Sequence, residues 1–189
     1  MIFQKFLAPI ALAVGLGAAA AVSAQTLTMG VRGGPESMDP HFSALGPHAE
    51  AAKHVFDTLV WSGDGLQIEP GLAERWTPID EDTWEFKLRQ GVKFHDGSDF
   101  DAEDVKFSIE RIPVVTGPTT TTIYVRRGAS VDIIDSHTIH INTDGQAATL
   151  PNDSIRLFIV SSEAAADYST PETAAEGFNS GKATIGTGP

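Results

Sequence analysis

The chain has 189 residues, a formal net charge of −12, 41% hydrophobic residues and no cysteine. That length holds one ordinary domain, and the acidity disfavours nucleic acid and anionic membrane surfaces as partners. Without cysteine there is no disulfide framework, thiolate metal site, cysteine nucleophile or lipid-modified cysteine.

Residues 1–24 read as a signal peptide rather than as part of a domain. Lys5 and the terminal amine form a basic start, Phe6 to Ala21 is apolar and rich in Ala and Gly, and Val22-Ser23-Ala24 supplies a small-residue cleavage site before Gln25. An uncleaved membrane anchor is the alternative, but Pro9, Gly15 and Gly17 interrupt a stretch already short for a span. Export without disulfides suits a Gram-negative periplasm.

Leu27, Met29 and Val31 alternate with Thr28 and Gly30, predicting an opening strand that runs into the Arg32 to Pro35 loop. Met38-Asp39-Pro40-His41 follows in extended form, because the residue before a proline is pushed away from helix. After Pro47, a helix is predicted with Ala52, Val55, Phe56 and Leu59 on one apolar face. Ser62 to Gly65 is a turn, Pro70 to Trp76 a short helix, and Asp80-Glu81-Asp82 a polar turn.

Trp84 to Arg111 is the most readable stretch. Trp84, Phe86 and Leu88 alternate with Glu85, Lys87 and Arg89, which predicts a strand with one apolar face. Gln90-Gly91 turns the chain, Val92 and Phe94 resume the alternation, and Asp96-Gly97 turns it again. Asp101 should cap a helix, with Asp104 completing a capping box and Glu103 facing the helix's positive end. Phe100 and Val105 have hydrophobic-staple spacing, Val105, Ile109 and Ile112 form the buried stripe, and Pro113 ends the helix.

Thr119 to Thr122 is a connection, and Val131 to Ile134 with Thr138 to Ile141 predicts a hairpin. Leu157 to Val160 is a buried strand or the start of a helix. Ser162 should cap a helix through Ala166, and Thr170-Pro171-Glu172 should open another that stops at Gly177. The closing Ile185-Gly186-Thr187-Gly188-Pro189 is turn chemistry with nothing following it, as expected of a fragment.

Catalytic signals are sparse: there is no G-x-S-x-G elbow, H-E-x-x-H pair or phosphate-binding loop. Asp96, Asp99, Asp101 and Glu103 fail calcium-loop spacing, and capping already explains two of them. The six histidines are scattered, which favours solvated or hydrogen-bonded rings over a transition-metal contact. His95 is expected to bond its adjoining turn, and Trp61, Trp76 and Trp84 to pack in the core rather than stack on a ligand.

Several of these strings occur together in one known family. Trp84 to Arg111, preceded by Pro70-Gly71-Leu72-Ala73-Glu74-Arg75-Trp76, resembles the signature of the family 5 extracellular solute-binding proteins, the peptide and nickel class serving ABC transporters. So do Met38-Asp39-Pro40-His41, Val55-Phe56-Asp57-Thr58-Leu59-Val60 and the closing Ile185 to Pro189. The resemblance implies an α/β, type II periplasmic-binding fold, two lobes that close on ligand about a hinge. This chain would hold part of lobe I with its inserted subdomain, the second lobe being absent. The implied division is 1–24 signal peptide, 25–57 start of lobe I, 58–178 inserted subdomain and 179–189 return toward lobe I.

The implied function is the periplasmic solute-binding component of an ABC transporter, an incomplete N-terminal part that captures short peptides for the permease membrane subunits. No enzymatic step, cofactor, metal or nucleic acid is expected, and the chain should be a monomer. In peptide-binding relatives the loop after the Asp-Pro-His segment approaches the ligand backbone, which maps here to Ser43, Ala44, Leu45 and Gly46. A surface loop with no ligand role is the alternative for those four residues. Carriers of nickel chelate, haem, opine or oligosaccharide use the same scaffold. A secreted hydrolase and a structural fragment without ligand are rivals from other classes.

Overall fold

The Trp84 alternation is the centre strand of an antiparallel sheet. The computed structural model describes residues 28, 30, 33–115, 117, 119, 121–123, 125 and 129–189. Every element below belongs to the compact unit Val31–Pro189. The leader segment and Leu27, Met29 and Val31 of the expected opening strand lie outside the described residues.

In chain order the elements are α1 (Gly46–Ala52), β1 (Val60–Ser62), β2 (Ile68–Pro70), β3 (Ala73–Pro78), β4 (Thr83–Leu88), α2 (Ala102–Arg111), β5 (Ser130–Asp135), β6 (Thr138–Asn142), α3 (Leu150–Asp153), α4 (Ser162–Ala165) and α5 (Pro171–Asn179). β1 and β2 pair alone, while the larger sheet runs β3-β4-β6-β5, all antiparallel. Its register places apolar residues in rows across the strands. Trp76 faces Phe86, Phe86 faces Ile139, and Ile139 faces Ile133. The next row joins Trp84, Ile141 and Val131. Such same-face pairs are the unit of sheet stability.

α2 lies on that apolar face, and Val105, Ile109 and Ile112 are buried with Phe86, Ile139 and Ile141 in one cluster. Its start is built as predicted. Asp101 accepts from the Glu103 amide at 2.8 Å, and Asp104 returns the favour to the Asp101 amide at 3.0 Å. Phe100 and Val105 are both buried, as a staple requires. Asp101→Ala should cost about 1 kcal/mol, read as a lower urea midpoint with unchanged slope.

A second cluster gathers Ala49 and Ala52 of α1 with Phe56, Phe158, Val160, Ala165, Phe178 and Ala183. Here the structure corrects several expectations. α1 stops at Ala52 instead of reaching Leu59: the chain turns through residues 53–55 and is then paired in extended form, Thr58 bridging Phe158 and the Ile159 amide donating to Asp57 O at 3.0 Å. Pro70 to Trp76 is the end of β2, a turn and the start of β3, not a helix, since β4 pairs with it along its backbone and sets Trp76 opposite Phe86.

Val92 and Phe94 form no regular strand beyond a bridge between Lys93 and Asp99. Ser161, not Ser162, caps α4 through the Ala164 amide. α5 is capped at Thr170 as expected but runs past Gly177 to Asn179. Gly177 is there for closeness: a Cβ would lie 2.1 Å from Tyr168 Cγ.

His95 also departs from expectation, holding the chain's closing segment rather than its own turn. Its amide donates to Gly186 O at 2.9 Å and its Nε2 to Gly188 O at 2.8 Å. Gly188 N donates to Val55 O at 3.0 Å, and Thr187 Oγ1 to Asp57 Oδ2 at 2.9 Å. The glycine-rich end is therefore docked on residues 55–57. Trp76 and Trp84 are partly buried against the main cluster, as core packing predicts.

Candidate functional site

The most heavily bonded polar group in the described structure sits where Met38-Asp39-Pro40-His41 meets the last turn of α2. Arg111 donates to Asp39 through both terminal nitrogens, Nη1 to Oδ1 at 2.9 Å and Nη2 to Oδ2 at 2.7 Å. Each side chain is only 1% exposed, so this is a buried bidentate ion pair. Arg111 Nη2 also donates to Tyr168 O at 3.0 Å, and its guanidinium lies 4.7 Å from the centroid of the Phe178 ring.

His41 completes the cluster. Its Nε2 is 2.8 Å from Phe158 O and must carry the proton, while Nδ1 accepts from Arg111 Nη1 at 2.9 Å. Both ring nitrogens are thus committed to the neutral form. Burial, and then the Arg111 charge, lower its pKa from 6.5 to about 4.

The sign of the stability effect follows. The unfolded chain takes up a proton near pH 6.5 and the folded chain refuses it until about pH 4, so this contribution is whole above 6.5 and is lost as pH falls through the window. The loss amounts to about 3 kcal/mol. Buried Asp104, whose pKa is raised chiefly by desolvation, acts in the opposite direction and makes the net slope shallower in acid. Urea unfolding at a series of pH values should show the decline, and His41→Gln should remove its own share.

The candidate loop Ser43, Ala44, Leu45 and Gly46 leads directly from this cluster into α1. Ser43 is buried, its Oγ 2.7 Å from Thr119 Oγ1, and the Ala44 amide donates to Thr119 O at 3.0 Å. Thr121 Oγ1 donates to His41 O at 2.8 Å. A Cβ on Gly117 would lie 1.8 Å from Phe42 O, so only glycine lets the two segments run this close. Beyond Ser43 the side chains turn outward, with Leu45 48% exposed and Gly46 exposed. The result is a small, uncharged surface backed by rigidly bonded backbone.

His48 of α1 closes the loop from its far end, Nε2 donating to Asp39 O at 2.7 Å. His48 Nδ1 and Arg111 Nε are the buried side-chain atoms without a partner among the described residues. Within the same residues no group of three or more His, Asp or Glu could hold a metal ion, and no helix is long and apolar enough to cross a membrane.

A cleft of about 450 Å³ elsewhere is lined by Pro78, Asp80, Glu81, Trp84, Gln146 and Ala148, and none of the loop residues lines it.

Sequence reasoning named the loop as a candidate and missed the cluster behind it. A signal was present: Asp104, Ser108 and Arg111 lie at i, i+4 and i+7, a polar stripe beside the apolar one. All three are buried and bonded outward, Asp104 to the Ser162 amide, Ser108 to the Val160 amide and Arg111 to Asp39.

Comparison with known proteins identifies the family and the fold. The family model described as Bacterial extracellular solute-binding proteins, family 5 Middle, matches residues 67–189. Over 108 residues the chain is 37% identical to the dipeptide-binding protein of Escherichia coli (strain K12), covering 52% of this chain and 20% of that protein. It is 34% identical over 106 residues to the periplasmic oligopeptide-binding protein OppA of Haemophilus influenzae, covering 53% and 19%.

Among solved structures, the oligopeptide-binding protein AppA of Bacillus subtilis, in complex with a nonapeptide, matches with a TM-score of 0.73 at 21% identity, over 83% of this chain and 31% of that one. DppA of Helicobacter pylori, in complex with the peptide STSA, matches with a TM-score of 0.67 at 28% identity, over 82% and 34%. The chain therefore spans about a fifth of these curated relatives and about a third of these solved structures. Its α/β architecture is part of the periplasmic binding-protein fold. With the family matched over more than half of its residues, the chain belongs to the bacterial extracellular solute-binding proteins of family 5.

Proposed function

We propose that this chain is the N-terminal part of a periplasmic solute-binding protein that captures short peptides and passes them to the membrane subunits of an ABC permease. The observation that carries the reading is its agreement in fold with binding proteins solved in complex with peptides. Residues 1–24 direct export, 25–57 open lobe I, 58–178 form the inserted subdomain and 179–189 return toward lobe I. The protein works as a monomer and makes and breaks no bond.

Ser43, Ala44, Leu45 and Gly46 form the ligand-facing edge on this side. The small residues Ala44 and Gly46 let an extended peptide backbone come close over buried Ser43, and Leu45 offers the one large apolar contact. The loop holds no acidic residue, so a peptide's amino group would not be fixed by charge here. Contacts from one lobe alone supply part of the binding free energy, and dissociation constants of about a millimolar are expected. Calorimetry with di-, tri- and tetrapeptides should show such weak binding, with free amino acids binding more weakly still. Turnover of the peptide, or no binding at tenfold higher peptide concentration, would contradict the reading.

A further inference from the structure

The bonds around the Ser43–Gly46 loop converge on a single residue at its base. Asp39 accepts the Arg111 guanidinium on its carboxylate, the His41 amide on Oδ1 at 3.0 Å, and both the Phe42 amide and His48 Nε2 on its carbonyl oxygen. The loop is thus clipped at both ends, by His41 before it and His48 after it. The facing wall is fastened to the same cluster, because Thr121 Oγ1 bonds His41 O two residues from the Thr119 that holds Ser43 and Ala44. No member of the cluster is exposed: Asp39 is 0%, His41 1%, His48 3% and Arg111 3% accessible.

We infer that Asp39, Arg111 and His48 are positioning residues for the Ser43–Gly46 loop, and that a proton on His41 undoes their hold. A second ring proton has one place to go, Nδ1, and there it would point at Arg111 Nη1, donor against donor at 2.9 Å. Arg111 must then withdraw from His41 and, because the same Nη1 serves Asp39 Oδ1, loosen its grip on Asp39. Around His41 the charged or titratable groups are Arg111 from α2, Asp39 from its own segment and His48 from α1. Of these three only Asp39 favours the charged ring, and its carboxylate is already spent on Arg111; the hydrogen bond to Phe158 O also favours the charged form but ranks below burial and the Arg111 charge. The lowered pKa of His41 agrees with this geometry.

The functional meaning, that ligand capture weakens in acid, rests on the peptide-binding reading above. The positioning itself does not, and it can be read without ligand.

Amide hydrogen exchange by NMR on the whole chain, corrected for intrinsic pH dependence, measures it at Ala44, whose amide bonds Thr119 O. On acidification through the titration midpoint of the His41 ring, Ala44 should lose about tenfold or more in protection while Phe86 of β4 keeps its own. His41→Gln can donate to Phe158 O and accept from Arg111 but cannot gain a proton, so its Ala44 protection should stay flat.

Flat protection in the unsubstituted chain, an equal loss in His41→Gln, or simultaneous loss at Phe86 would each overturn the inference. Should His41→Gln not fold, coincidence of the ring midpoint with the Ala44 loss decides alone. Peptide titration at both ends of the pH range separates the two claims. Loss of Ala44 protection with no peptide binding at either pH leaves the positioning standing and removes the peptide reading.

Discussion

Arg111→Met will destabilise the chain by about 3–5 kcal/mol, the cost typical of stranding one partner of a buried ion pair. Asp39 is fully enclosed, and Arg111 supplies the charged donors to both carboxylate oxygens, the His41 amide adding a neutral one at Oδ1. In so buried a site a carboxylate that loses the guanidinium must stay charged without its counter-ion or take up a proton. The variant also loses the bond to Tyr168 O and the cation over Phe178, leaving α5 and the turn before it less firmly tied to α2. Against a domain stability of about 5–15 kcal/mol, this loss is large enough to populate unfolded chain at 37 °C.

Asp39→Asn together with Arg111→Met should cost clearly less than the two single changes summed, because removing both charges leaves neither stranded. Urea denaturation of the four proteins measures the coupling. Additive costs would mean that the pair contributes no specific interaction.

Phe86→Ala should cost about 3–5 kcal/mol through lost burial and the cavity left behind. Phe86 is fully buried at the middle of β4, flanked across the sheet by Trp76 and Ile139 and covered by α2. Neighbours on adjacent strands are held by ladder hydrogen bonds and cannot close the gap without breaking register. Lys87→Ala, the next residue on the opposite face, should change stability by no more than about 0.5 kcal/mol, since Lys87 is exposed. Thermal or urea unfolding distinguishes the two faces, and equal costs would show that the alternation does not set the core.

Local rules succeeded where neighbouring residues decide the outcome. The Trp84 strand, the Asp101 cap, the Phe100–Val105 staple and the β5–β6 hairpin all depend on residues within a few positions of one another, and all are present. The failures are places where a distant segment decides. The stretch from Ala52 to Leu59 has helical spacing, but Phe158 and Ile159 draw its second half, at Asp57 and Thr58, into extended pairing. Pro70 to Trp76 has no strand signal of its own and acquires one from β4. Gly177 read as a helix stop because its reason for being glycine, Tyr168, approaches from outside the helix.

The candidate site divides in the same way. Ser43 to Gly46 were reached through resemblance rather than any chemistry of their own. Behind them, Asp39 and Arg111 lie 72 positions apart, so no spacing rule joins them. Only the unexplained polar stripe on α2 pointed to a buried partner. Charged residues that look like surface decoration in the sequence are here buried as deeply as the apolar core.

The most direct test is a backbone NMR titration of the isotopically labelled chain with a short peptide. Shift changes should be largest at Ala44, Leu45 and Gly46, extend to Thr119, and saturate together. Changes centred instead on the cleft around Trp84 and Gln146, or none at peptide concentrations well above a millimolar, would contradict the assignment of this loop to ligand capture.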